Sequence, residues 1–130
     1  MSLVYRKEGE TVNNYIIETL ESLKVYIPKL IDANDKLIQL FREENTLKAF
    51  EFFPSYVEGL DWVFQAVVLI NKQESIFTFD QESINSFLDE INEGLHLSDF
   101  VKIADILEYE ISPILKDIFI LAKGVNPLGN

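Results

Sequence analysis

The sequence predicts an all-α chain: an antiparallel four-helix bundle with a bent or split first helix and a short third helix. Two observations carry this. Apolar residues recur every three to four positions along nearly the whole length, which is the period of one helix face. The four periodic runs are joined by connectors of only a few residues, and short connectors make sequential helices antiparallel neighbours. With 130 residues, 48% of them hydrophobic and 25% charged, the chain has one domain's worth of apolar surface, enough to offset the entropy of ordering it. A single helical domain over 1–130 follows, with 1–10 and 125–130 expected to fray.

The first run reads Val12, Ile16, Leu20, Leu23, Ile27, Leu30 and Ile31, Leu37 and Ile38, then Phe41, with one gap over Asn34. Thr11 is the candidate N-cap. Pro28 falls inside the pattern without disturbing its phase. An interior proline removes a backbone hydrogen bond and costs about 3 kcal/mol. Residues 12–43 are therefore expected as one bent helix, or two in near-continuity, broken near residues 26–27.

The second run, 47–71, follows a cap at Asn45 or Thr46 and carries Pro54 in the same way. One apolar face holds Phe53, Leu60, Phe64 and Val67. A second, rotated by roughly 100°, holds Phe52, Tyr56, Val63 and Ile70. Only a narrow polar strip remains: Glu51, Ser55, Glu58, Asp61 and Gln65. A helix that is apolar over most of its circumference is buried on most sides, so this one is expected to be central or to meet a second chain. Phe52, Tyr56, Val63 and Ile70 are its candidate interface. Gly59 lies mid-helix, where it costs about 1 kcal/mol relative to alanine. The expected reason is close helix packing beneath Trp62 or another large ring.

Residues 71–75 form a connector, and 76–79 read as an ordered loop anchored by its aromatics. Asp80 caps a short helix with Ile84, Phe87, Leu88 and Ile91 inward, ending at Gly94. Ser98 is expected to cap the last helix, whose stripe runs Phe100, Ile103, Leu107, Ile111, Leu115, Ile118 and Ala122 across Pro113. At ~1.5 Å per residue, 47–71 and 99–123 each span about 37 Å and 81–93 about 20 Å. The third helix thus covers about half of what its neighbours present.

Asp and Glu number 22 against 11 Lys and Arg, a net charge of −11. That charge repels phosphate backbones and anionic lipid, so no nucleic acid and no membrane is expected as a partner. The longest apolar stretch, 66–70, is far below the ~20 residues of a membrane span. Cysteine is absent, which removes disulfides, thiol nucleophiles and Cys-based metal sites and fits a reducing compartment. A cytoplasmic location is expected. The richness in Ile, Asn, Phe, Lys and Glu points to a bacterial source.

Little chemistry assembles in the sequence. His96 is the single histidine, and Glu93 with His96 forms one Glu-x-x-His pair. Carboxylate-bridged di-iron bundles need two such pairs and two further glutamates, so no metal and no cofactor is expected. The acidic pairs Glu18/Glu21, Asp32/Asp35, Asp89/Glu93 and Asp105/Glu108 occupy polar phases and read as a solvated face. Glu58 and Asp61 are the candidate polar cluster, because the most apolar helix is where carboxylates could be desolvated for acid–base work. No nucleophile elbow is present, and the five glycines form no phosphate-cradling loop. The expectation is a protein that is not an enzyme. The alternative is a ligand-binding or enzymatic bundle with a polar site near Glu58 and Asp61.

In length, acidity and the character of 47–69 and 103–115, the chain resembles small bacterial helical-bundle adaptors and secretion chaperones of the flagellin-export type. It is equally similar to a family of small acidic helical proteins without assigned role. The resemblance implies a non-enzymatic, cytosolic protein-interaction module whose partner is another protein or a second copy of itself, a homodimer.

Overall fold

The first apolar run forms one uninterrupted helix, α1, over Glu10–Arg42. The structure, a computed structural model, describes residues 10–78 and 80–125, with the side chains of α1 described from Asn14 onward. Most of the two expected frayed ends thus lies outside the described residues. Within them Glu10 is already helical, so Thr11 sits inside α1 rather than capping it. No break occurs at Pro28. Ile16, Leu20, Leu23, Ile27, Leu30, Leu37 and Phe41 are all buried. At roughly 1.5–3 kcal/mol for each such side chain, their burial outweighs the ~3 kcal/mol cost of the proline. The helix ends in a Schellman turn: Asn45 N–H donates to the Leu40 carbonyl at 2.8 Å and Glu44 N–H to that of Phe41 at 3.2 Å. Glu44 takes the left-handed conformation, φ 60°, that glycine usually supplies there.

Helix α2 covers Thr46–Asn71. Asn45 occupies its N-cap position, but the side chain makes no capping hydrogen bond. Both apolar faces enter one contiguous core: Leu60, Phe64 and Val67 from one, Tyr56, Val63 and Ile70 from the other. The Asn71 side chain then organises the connector. Its Oδ1 accepts from Ile76 and Phe77 N–H at 3.2 and 3.0 Å, and its Nδ2 donates to the Phe77 carbonyl at 2.9 Å. Phe77 is buried and anchors the loop; Phe79, its expected companion, lies outside the described residues.

Helix α3 covers Gln81–Leu97. Asp80 caps it, accepting from the backbone N–H of Glu82 and Ser83 and from the Ser83 hydroxyl at 2.7 Å. These bonds, the hydroxyl's first, hold the Asp80 carboxyl below its ordinary range. Gly94 does not end this helix. It lies buried within it, where a Cβ would come 2.8 Å from Ile103 Cγ1; the glycine serves close packing rather than termination. The left-handed residue comes later, at Ser98 (φ 54°). Asp99 N–H donates to the Gly94 carbonyl at 2.8 Å and Ser98 N–H to that of Leu95 at 3.3 Å, a second Schellman turn. Ser98 therefore closes α3 rather than opening the next helix. The cap of the next helix is Asp99, which accepts from Lys102 N–H at 3.1 Å.

The last run is α4, Phe100–Ile106, one π-helical turn, Leu107–Ile111, and α5, Ser112–Gly124. Ile103, Leu107, Ile111 and Leu115 are all fully buried. Three successive four-residue steps would drift about 120° around an α-helix. The wider π-turn takes up that drift and keeps all four inward. It also places Pro113 in the first turn of α5, where a missing N–H costs little.

The described residues contain helices and no strand. Helix α1 packs against α2, α4, the π-turn and α5, while α3 packs against α4. The expectation that 47–71 is central is therefore corrected: α1 is the hub. At 33 residues it is about 50 Å long, and its buried stripe runs nearly its full described length. Contacts with α2 run in opposite senses along the two helices, through Phe41–Phe50, Asn34–Tyr56 and Tyr26–Trp62.

Candidate functional site

The surface between α1 and α2 carries two adjoining clefts. One, of about 280 Å³, is lined by Tyr26, Lys29, Lys36, Phe52, Ser55 and Tyr56 among others. The other, more open and about 520 Å³, is lined by Ser22, Tyr26, Ser55, Glu58, Gly59 and Trp62. Tyr26 and Ser55 belong to both, so the two form one groove.

Gly59 explains how the groove is built. A Cβ there would collide with the Tyr26 hydroxyl and lie 3.1 Å from Leu30 Cδ1. The missing side chain lets the Tyr26 ring cross α2. The edge of that ring meets Trp62, with centroids 5.5 Å apart and planes at 83°, the geometry aromatic quadrupoles favour. The expected packing role of Gly59 is met, beneath Tyr26 rather than directly beneath Trp62. Further along, Lys36 Nζ stands 5.5 Å from the centroid of the Phe52 ring. Phe52 and Trp62 remain 39% and 42% exposed.

Behind the groove lies a buried polar seam. Asn34 is fully buried. The Tyr56 hydroxyl donates to its Oδ1, and its Nδ2 donates to the Leu107 carbonyl at 3.2 Å. That carbonyl also accepts from Ser112 N–H through the π-turn. Three helical segments thus share a chain of partnered polar groups inside an apolar core. Burial, and secondarily the charge of Asp35, pushes the Tyr56 phenol well above its ordinary range, so it stays a neutral donor. Sequence reasoning missed Asn34 as a participant. The signal was the gap it makes in the α1 stripe, at a position where the period requires an inward side chain.

The sequence-derived candidates separate in space. Tyr56, Val63 and Ile70 are buried within the chain and are not available to a second chain in this conformation. Their side chains belong to the one contiguous apolar core of the chain. Phe52 alone of the four is exposed. Glu58 and Asp61 do not form a cluster: both are exposed, and they line different clefts. Glu58 faces the α1–α2 groove. Asp61 lines a cleft of about 250 Å³ between α2 and α3, accepting from Gln65 Nε2 at 2.7 Å. The desolvation that would fit them for acid–base work is absent.

His96 is exposed in the last turn of α3. Glu93 pairs instead with Lys102, Oε1 to Nζ at 2.8 Å, which lowers the Glu93 pKa and raises that of Lys102. Among the described residues no group of three or more His, Cys, Asp or Glu is placed to hold a metal ion. No helix among them is long and apolar enough to cross a membrane. The groove is lined by rings, aliphatic stems, Ser22 and Ser55, two lysines and Glu58.

A family model matches residues 18–120, which span the hub helix, the groove, the seam and the π-turn; its description is a domain of unknown function, DUF8042. The chain belongs to the DUF8042 family. No curated protein and no solved structure matches it. Of the two resemblances drawn from sequence, the match accords with the helical family without assigned role. The export-chaperone likeness has no counterpart in it.

Proposed function

We propose that this DUF8042 protein is a non-enzymatic, cytosolic interaction module, an antiparallel four-helix bundle whose α1–α2 groove receives a protein partner or a second copy of the chain. One observation carries the reading. Phe52 and Trp62 stay about two-fifths exposed on a groove whose floor is shaped by a glycine and whose wall is a tyrosine set edge-to-face against Trp62. Exposed aromatics in preformed pockets are the anchors that dominate protein interfaces. The antiparallel pairing of α1 with α2 supports the bundle.

The test is Phe52→Glu combined with Trp62→Glu, measured by light scattering and by affinity capture from cytosol. Wild-type protein is expected to show a mass above 15.0 kDa at high micromolar concentration, or to retain a partner. The double variant is expected to be monomeric and to lose that partner. A monomer at every concentration, with identical captured proteins for wild type and variant, removes the reading.

A further inference from the structure

A second surface stands at the end of the molecule where the α1–α2 turn meets the α3–α4 junction. Its floor is aromatic. Phe41 stacks on Phe100 with centroids 5.9 Å apart, and the Phe50 ring meets both. Above them opens a cleft of about 410 Å³, lined by Phe41, Arg42, Glu44, Thr46, Ser98, Asp99, Phe100 and Val101. Beside it Leu47 is 81% exposed, Leu97 67% and Val101 66%. Exposed apolar residues gathered beside an aromatic cleft make it a candidate interaction site.

Backbone strain singles out the same place. Among the described residues the two non-glycine positions with positive φ are Glu44 and Ser98, and both line this cleft. Each is the left-handed residue of a Schellman turn, where glycine carries no steric penalty. Residues held in sparsely populated backbone regions cluster at ligand-binding and switch sites.

Charge decides the occupant. Arg42 is held by Asp105 and Glu108, each at 2.9 Å. Lys102 is bound to Glu93 and also feels Glu90 and Asp99. Glu43 and Glu44 are exposed in the turn, and Lys48 is the remaining exposed cation nearby. The rim is acidic, on a chain of net charge −11. A second copy would bring like charge to like. A basic partner meets complementary charge, which sets orientation and speeds encounter.

We propose that this cleft docks a basic amphipathic helix of a partner protein, with one apolar side chain of that helix on the Phe41–Phe100 floor and its lysines or arginines on the rim. The inference rests on the reading of the chain as an interaction module, and adds to it a separate surface and the partner's charge.

The probe is a synthetic helical peptide of leucine and lysine, with its glutamate-for-lysine counterpart, titrated by fluorescence anisotropy. The lysine peptide is expected to bind at least tenfold tighter than the glutamate peptide. Its affinity should fall about tenfold between roughly 50 and 500 mM salt, as screened charge pairs do. Val101→Glu and Leu47→Glu should each weaken binding at least tenfold, although both make the protein more acidic. Diffuse electrostatic attraction predicts unchanged or tighter binding for those variants, and that result overturns the proposal. So does equal binding of the two peptides, or concentration-dependent dimerisation abolished by the same substitutions. Phe52→Glu should leave peptide binding unchanged, so failure here and failure of the α1–α2 groove are read separately.

Discussion

Two regions of the molecule use polarity in opposite ways. In the middle, Asn34, Tyr56 and the Leu107 carbonyl put polar groups inside an apolar core and partner each of them. Where the α1–α2 turn meets the α3–α4 junction, Leu47, Leu97 and Val101 put apolar groups in water beside strained backbone. The first arrangement is closed, and every group in it gains from the fold. The second is open and held at a cost that the fold itself does not recover. A buried polar group is expensive only when its partner is missing, so the seam is a stability element. An exposed apolar cleft is the reverse: removing it should leave the fold unharmed.

The largest expected effect breaks the seam. Asn34→Leu removes the acceptor of a buried hydroxyl and should cost about 2–3 kcal/mol in urea unfolding. The double variant Asn34→Leu with Tyr56→Phe removes both partners and should recover at least half of that loss. A double variant no better than the single would show that the seam acts through shape rather than hydrogen bonding.

The next effect is alkaline. The Tyr56 phenol is raised above its ordinary 10.0, so the folded state holds this proton more tightly than the unfolded chain. Its contribution is complete below pH 10 and is lost as pH rises beyond that. Lys102, raised from 10.5, acts in the same direction. Asp80 and Glu93, lowered from 3.8 and 4.5, lose theirs only as pH falls through the acid range. The melting temperature should therefore drop more steeply from pH 9 to 11 than from pH 7 to 5, and Tyr56→Phe should shallow the alkaline limb. Equal alkaline slopes for the two proteins would count against a proton held at Tyr56.

The smallest effect lies at the strained end, and its sign is reversed. Ser98→Gly, or Glu44→Gly, should stabilise the fold by about 0.5–1 kcal/mol, because glycine adopts positive φ without the Cβ penalty. Thermal melts suffice to measure it. A loss of stability at either position would show that the side chain supports the fold rather than the surface.

The fold was legible where a pattern depends on one helix alone. The α1 stripe and the Asp80 cap follow from period and side-chain chemistry, and the cost of a mid-helix glycine flags Gly59 without naming Tyr26 as the neighbour it admits. What depends on a neighbour was not legible. Two apolar faces on α2 predict burial on two sides, but the phases do not say whether the cover is the chain itself or another molecule. Tyr56, Val63 and Ile70 therefore read as a candidate interface, while the fold buries them. Gly94 has the composition of a terminator, yet its role is decided by Ile103 across the gap. The π-turn left a trace, the run of four-residue steps from Ile103 to Leu115, whose cumulative drift an α-helix does not accommodate. Of the candidate site, Phe52 was found and Asn34 was visible only as a gap.

The hub position of α1 has a consequence for the order in which the chain can be completed. Its contacts with α2 close over a short turn, but Asn34 waits for an acceptor 73 residues away, and the α1 stripe for α4 and α5 to cover it. A nascent chain with only its first two helices outside the ribosome has a hairpin with one side of its apolar stripe uncovered and the amide of its central asparagine unmatched. Covering the rest of the α1 stripe belongs to α4, the π-turn and α5, so that part of the core closes only through long-range contacts.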